Sequence, residues 1–399
     1  MAARHGNQKL LLYQARHFSS PTSSLCPTFE SFRLAKSAII SESDPNKLAD
    51  LFVSQSSTFP RFARHRLVYH LVVRKLSRAK RYDLVERILE HQKTAPAVLP
   101  LSEGFFIRLI MLYSNAGMID NALRTFDDLI NSKEFHASEK SLCAILSALL
   151  NNKNLDKFHE VFTGVPAKTA IFPGVKSYNL ALKAYCQENR VEMAKKLIEK
   201  MEKEARIFPD IFSYNVILGA YLRNKDWIGF DSVVKDVLNR GLEGNVTTYN
   251  HRILRHCKNK ECARAKKLVD EMVSKGIKPN AASYNTIIDG FCIVGDLDSA
   301  VLMLERMSSD GYVSPCSFSY FTLLRHMVEE GEFDSALEIC KKILKRKWVP
   351  PFEAMEGLIK GLVNISKSEE AKEMVDKMKK RLRGPAVDSW GKIEAALPL

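Results

Sequence analysis

Ser177-Tyr178-Asn179, Ser213-Tyr214-Asn215, Thr248-Tyr249-Asn250, Ser283-Tyr284-Asn285 and Ser319-Tyr320-Phe321 repeat one short block, their tyrosines 36, 35, 35 and 36 residues apart. A second column keeps the same phase: Ala122, Ala194, Ala265, Ala300, Ala336 and Ala371 are separated by one or two of these intervals. A third marks interval ends, at Pro209-Asp210, Gly244-Asn245, Pro279-Asn280, Pro315-Cys316 and Pro350-Pro351. Three columns in register define a repeat architecture.

Laid along the chain, the interval gives units at 66–102, 103–138, 139–174, 175–210, 211–245, 246–280, 281–316, 317–351 and a degenerate ninth at 352–386. Residues 30–65 read as a helical N-terminal cap and 387–399 as a closing helix around Trp390. Within 281–316, Tyr284, Ile287, Ile288 and Phe291 share one helical face, Gly295-Asp296 interrupts, and Ala300, Met303, Leu304 and Met307 resume at the same spacing. Each unit is therefore two helices, with the alanine where they approach closely. Phe158 and Phe230 fill that column in two units, where packing should be wider. A lone hairpin cannot bury its apolar face, but stacked ones can. The expected fold is all-α, a right-handed α-solenoid of about nine helix-turn-helix repeats with a concave inner wall.

The 399 residues carry 60 Lys plus Arg against 46 Asp plus Glu, a formal charge of +14, with 46% hydrophobic residues. That composition excludes wholesale disorder and points to a polyanionic partner. No apolar run reaches the length of about 20 residues needed to cross a bilayer. The eight cysteines include no CxxC pair, which argues against a disulfide scaffold. Residues 1–29 contain no acid but carry Arg4, Lys9 and Arg16, beside Leu10-Leu11-Leu12-Tyr13 and a Ser-rich stretch. They read as a transit peptide, and Arg16-His17-Phe18-Ser19-Ser20 resembles a mitochondrial processing site, placing cleavage near 18–30. The mitochondrial matrix is expected, ahead of the chloroplast.

The 35-residue hairpin with Tyr-Asn near its start, Ala at the twentieth place and Pro-Asp/Asn at its end resembles the pentatricopeptide repeat of the plain class, over residues 66–386. The resemblance implies that each repeat reads one RNA base through the fifth and last residues of the unit. Carried over, the pairs are Asn179 with Asp210, Asn215 with Asn245, Asn250 with Asn280, and Asn285 with Cys316. It further implies uracil for the Asn/Asp pair and pyrimidines for Asn/Asn. His70, Ile107, Cys143, Phe321 and Glu356 depart from the pattern at the fifth place, as do Cys316 and Pro351 at the last. On a bland reading, the asparagines are solvent-facing turn formers.

Basic clusters are candidates for phosphate contact. Arg61, Arg64, Arg66, Arg74, Lys75, Arg78, Lys80 and Arg81 lie in an acid-free stretch; Arg252, Arg255, Lys258, Lys260, Arg264, Lys266 and Lys267 form a second cluster. Lys341–Lys347 and Lys377–Arg383 are others. The residues expected to touch phosphate are Arg74, Lys75, Arg78, Lys80, Arg252, Arg255, Lys258 and Lys260.

His251, His256, Cys257 and Cys262 crowd together, but Cys186, Cys257 and Cys292 share one place in three units, as a packing residue does. No metal, cofactor or catalytic residue is expected, since no P-loop, GxSxG or deaminase pattern occurs and the array leaves no room for a nuclease domain. A small-molecule substrate or membrane partner is not expected either. Lys347-Trp348-Val349-Pro350-Pro351, Gly357–Leu362 and the segment from Trp390 resemble short plant members of the family associated with the mitochondrial ribosome. The expected partners are single-stranded or ribosomal RNA and mitochondrial ribosomal proteins. The alternative is a free factor for stability, processing or translation of one mitochondrial mRNA.

Overall fold

The computed structural model describes residues 31–59, 65–94, 102–132, 134–381 and 390–391. The transit peptide and its processing site, Arg61, Arg64, Arg383 and most of the closing segment 387–399 lie outside the described residues. Among the described residues there are twenty α-helices and no strand. The chain divides into two compact units, Met1–Leu180 and Ala181–Leu399.

In the first unit, α1 (Phe32–Ser41) and α2 (Pro45–Thr58) precede the hairpins α3 (Arg66–Arg78) with α4 (Tyr82–Thr94), α5 (Glu103–Asn115) with α6 (Ile119–Ile130), and α7 (Glu139–Asn151) with α8 (Leu155–Lys168). Helix α9 (Val175–Gln187) begins in the first unit, and α10 (Val191–Lys203) follows in the second. The second unit continues with α11 (Ile211–Asn224) and α12 (Trp227–Asn239), then α13 (Val246–Lys258) and α14 (Cys262–Ser274). It closes with α15 (Ala281–Ile293) and α16 (Leu297–Ser309), α17 (Ser317–Glu329) and α18 (Phe333–Lys345), and α19 (Phe352–Asn364) and α20 (Ser368–Lys379). First helices pack on first helices in sequence, α11 on α13, α13 on α15, α15 on α17 and α17 on α19. This is the stacking that an α-solenoid requires. Trp390 is buried at the end of the second unit, edge-on to Phe352 with ring centroids 5.3 Å apart.

The recurring sequence columns are helix punctuation. Asp210, Asn245 and Asn280 are N-caps, each Oδ1 accepting from the backbone N–H three residues on, at 2.9, 3.1 and 3.1 Å. That residue is the Ser or Thr of the repeated block, whose hydroxyl accepts the cap's own N–H in return: Ser213 at 3.2 Å, Thr248 and Ser283 at 3.1 Å. Each cap of this kind contributes about 1 kcal/mol. The tyrosine that follows is buried, as are Ile287, Ile288 and Phe291 behind Tyr284. Burying side chains of this size stabilises by about 1.5–3 kcal/mol each.

The turn inside each hairpin is equally regular. Its fifteenth residue takes the left-handed conformation, as Lys80, Gly117 and Lys153 in the first unit and Asn189, Lys225, Lys260, Gly295, Gly331 and Ser366 in the second. The next N–H reaches back five residues to close a Schellman motif, for example Asp226 N–H to Tyr221 O at 3.0 Å and Glu261 N–H to His256 O at 2.8 Å. The alanine column is buried throughout, and Phe158 and Phe230 are buried in the same place. In the second unit, a cleft of about 460 Å³ opens beside the Phe230 hairpin, between Leu218, Val237, Tyr249 and Arg252.

Candidate nucleic-acid interface

Asn215, Asn250 and Asn285 occupy the same turn of α11, α13 and α15, successive first helices of the second unit. Each side chain meets the last residue of its own repeat. Asn215 Nδ2 donates to Asn245 Oδ1 at 3.0 Å, Asn250 Nδ2 to Asn280 Oδ1 at 3.2 Å, and Asn285 Nδ2 approaches Cys316 Sγ at 3.8 Å. Three of the expected pairs are thus in contact, Asn215–Asn245, Asn250–Asn280 and Asn285–Cys316. The cap explains their orientation: Oδ1 of Asn245 and Asn280 points at the helix N-terminus, which turns the Nδ2 donors away from it. Asp210 caps α11, its Oδ1 held by the Ser213 N–H and hydroxyl. Asn179 stands near the end of the first unit, half-buried.

The fifth-place asparagines also tie one hairpin to the next. Asn250 Oδ1 accepts the Ser283 hydroxyl, and Asn285 Oδ1 the Ser319 hydroxyl, both at 2.6 Å. Thr248 turns its hydroxyl to Asn245 instead, at 3.2 Å, and leaves the buried Asn215 Oδ1 without a partner among the described residues. In the first unit, Glu103 accepts from Ser138 N–H and Oγ at 2.8 and 2.6 Å, while Glu139 accepts from Gly174 and Ser177 N–H at 2.9 and 3.2 Å. Cys143, in the fifth place there, lies 3.3 Å from Ser177 Oγ. Hydrogen bonds to Glu103 outweigh its burial and hold its carboxyl below the ordinary glutamate range. Burial likewise raises the Cys316 thiol, but bonds from Ser319 and Asn285 more than offset that and leave it below its ordinary value.

A groove of about 300 Å³ runs between α13 and α15, lined by Leu254, Lys258, Asn285, Asp289, Gly290 and Phe318. Gly290 lets the two helices close up, since a Cβ there would lie 2.7 Å from Cys257 Sγ. Phe318 is 60% exposed at the second place of its repeat, and Phe212, at the same place of an earlier one, is 61% exposed. The sequence reading passed over both. Their signal was an aromatic two residues after the cap, off the buried face, where a base can stack.

The basic residues divide into two sets. Arg74, Arg78, Lys80, Lys258 and Lys260 are exposed and in no ion pair among the described residues. Lys75 instead donates to the carbonyls of Ile40 and Glu42 at 2.6 and 2.8 Å, capping α1. Arg252 lies over the Tyr249 ring and 3.8 Å from Glu271. Arg255 bridges Asp231 and Glu261 at 2.6 and 2.9 Å. Arg252 is two residues from Asn250, so it projects from a different side of α13. His256 bonds to Glu261 at 2.7 Å, while His251 packs against Gly219, burial and Arg223 holding its pKa down. Among the described residues, no group of three potential ligands is placed to hold a metal.

The PPR repeat family profiles match residues 106–133, 173–223, 244–293, 282–312 and 357–381. In Arabidopsis thaliana, the chain is 28% identical to small ribosomal subunit protein mL103 (rPPR7) over 366 residues, 92% of this chain and 87% of that one. It is 32% identical over 367 residues to pentatricopeptide repeat-containing protein At1g11630, mitochondrial, covering 91% and 88%. Among solved structures, PPR10 in complex with an 18-nt psaJ RNA element superposes with a TM-score of 0.56 at 15% identity, over 92% of this chain. The chain spans 61% of the length of that PPR10 chain. With hairpins, caps and paired polar residues in place, and a relative 32% identical along nearly its whole length, the chain belongs to the pentatricopeptide repeat family.

Proposed function

We propose that this protein binds RNA in mitochondrial gene expression, as a component of the mitochondrial ribosome in the matrix that contacts ribosomal RNA and neighbouring ribosomal proteins and supports translation. The observation that carries this reading is the row of polar pairs, one per hairpin, along successive first helices of the second unit: Asn215–Asn245, Asn250–Asn280 and Asn285–Cys316. Asn179 and Asp210 complete the set of base-reading candidates. Each pair offers a fixed donor to a base edge, and Phe212 and Phe318 offer faces for stacking. Arg74, Arg78, Lys80, Lys258 and Lys260 supply charge for phosphates, while Lys75, Arg252 and Arg255 serve the same purpose only through protons left over from protein contacts. The protein acts by binding, and no reaction is assigned to it.

The ribosomal assignment is supported by similarity to mL103 along most of both chains, and to mS78 at 35% identity over 42% of this chain. A row of so few readable pairs gives little selectivity within a transcriptome, which favours a structural RNA over one message. Sedimentation of a mitochondrial extract tests it. Co-migration with ribosomal subunits through moderate salt supports the reading. Recovery only at the top of the gradient, with one discrete footprint on a messenger RNA, replaces it with the free transcript factor.

A further inference from the structure

The left-handed turn position holds glycine in three hairpins and asparagine or serine in two, but lysine in four: Lys80 and Lys153 in the first unit, Lys225 and Lys260 in the second. Their φ angles are 57, 58, 55 and 60°. Glycine adopts this conformation without steric cost, whereas lysine does not, so packing gives no reason for lysine here. All four side chains are exposed and in no ion pair among the described residues. Lys153 and Lys225 lie outside the basic clusters visible in the sequence; only the shared turn joins them to Lys80 and Lys260.

In the second unit, Lys225 and Lys260 stand at the same turn of consecutive hairpins, each two residues after another exposed cation, Arg223 and Lys258. The neighbouring acids are already engaged. Asp226 caps α12 through the Gly229 N–H at 2.8 Å, and Glu261 is held by Arg255, His256 and Arg264 at 2.9, 2.7 and 3.1 Å. We infer that this turn edge of the second unit is a phosphate-contacting surface, with Lys225 and Lys260 binding the backbone of an RNA strand laid across successive hairpins. It rests on the RNA-binding reading and deepens it. Lys80 and Lys153 are the corresponding cations of the first unit. Lys260 lies ten residues along from Asn250, about 15 Å in helical rise, so the edge adds affinity without base preference.

The test uses the full chain carrying Lys225→Gly and Lys260→Gly, with a pyrimidine-rich and a purine-rich single-stranded RNA oligonucleotide as probes. Affinities are measured between about 50 and 200 mM salt. The log–log salt slope should fall by about 1.4 for the pair, and the affinity at about 0.1 M salt by about 25-fold, equally for both probes. The melting temperature should stay the same or rise, because glycine relaxes the turn. Lys225→Arg with Lys260→Arg should keep the wild-type slope. A glycine variant with an unchanged slope overturns the surface and the phosphate role of Lys260, and leaves the RNA-binding reading standing. A wild-type protein that binds neither probe overturns the RNA-binding reading, and the surface with it.

Discussion

Asn280 has two tasks that substitution can separate. Its Oδ1 accepts from Ser283 N–H at 3.1 Å and Asn250 Nδ2 at 3.2 Å. Asn280→Ala removes the cap of α15, at a cost of about 1 kcal/mol. It also removes the acceptor for the half-buried Asn250 amide, worth about 0.5–1 kcal/mol more. The expected loss is about 1.5–2 kcal/mol, read as a lower urea midpoint of the full chain with an unchanged slope. Asn280→Asp keeps both acceptor contacts and places a negative charge at a helix N-terminus, so its midpoint should match or exceed wild type. The outward donor of the pair, however, becomes an acceptor. RNA carrying uracil at the corresponding base, which presents N3–H, should then bind better than RNA carrying cytosine there. If Asn280→Ala unfolds at the wild-type urea concentration, the capping argument is wrong. If Asn280→Asp is as unstable as Asn280→Ala, the assigned amide orientation is wrong.

Two further outcomes test how the hairpins are held together. Gly290→Ala would put a methyl group 2.7 Å from Cys257 Sγ, between α13 and α15; a loss of about 1–3 kcal/mol is expected in thermal melting, and a neutral effect would mean that the helices do not approach this closely. The Glu103 carboxyl has a depressed folded-state pKa, so its stabilisation is complete above the ordinary glutamate value of about 4.3 and is lost as pH falls through the folded value. Wild type should therefore exceed Glu103→Gln in urea midpoint at neutral pH, with the two converging as pH falls through and below the depressed folded value; a difference independent of pH would exclude the charge as its source.

The sequence made the hairpins, their order and the apolar faces legible, because a 35-residue period leaves its mark in three independent columns. The reason for the columns was less legible. The serine of Ser283-Tyr284-Asn285 is the reciprocal partner of the Asn280 cap three residues before it, whereas the asparagine bonds onward to the next hairpin, a relation that appears only once residues 33 or 34 apart are in contact. Against the bland reading of the asparagines as solvent-facing turn formers, Asn245 and Asn280 are helix caps, and each also meets its fifth-place partner. Charge was the least legible property. Lys75 and Arg255 look like their neighbours in sequence but are engaged on protein groups, while Lys153 and Lys225 looked ordinary until the turn geometry aligned them with Lys80 and Lys260. Composition counts cations; it does not show which are already in use.

The most direct measurement compares the affinities of wild type and of Asn215→Ala with Asn250→Ala for a pyrimidine-rich and a purine-rich RNA oligonucleotide of equal length. Wild type should prefer the pyrimidine strand, and the double variant should lose that preference while keeping its salt dependence. Equal losses on both strands, or a wild type that never distinguishes them, would mean that the row of asparagine pairs holds the hairpins together and reads no base.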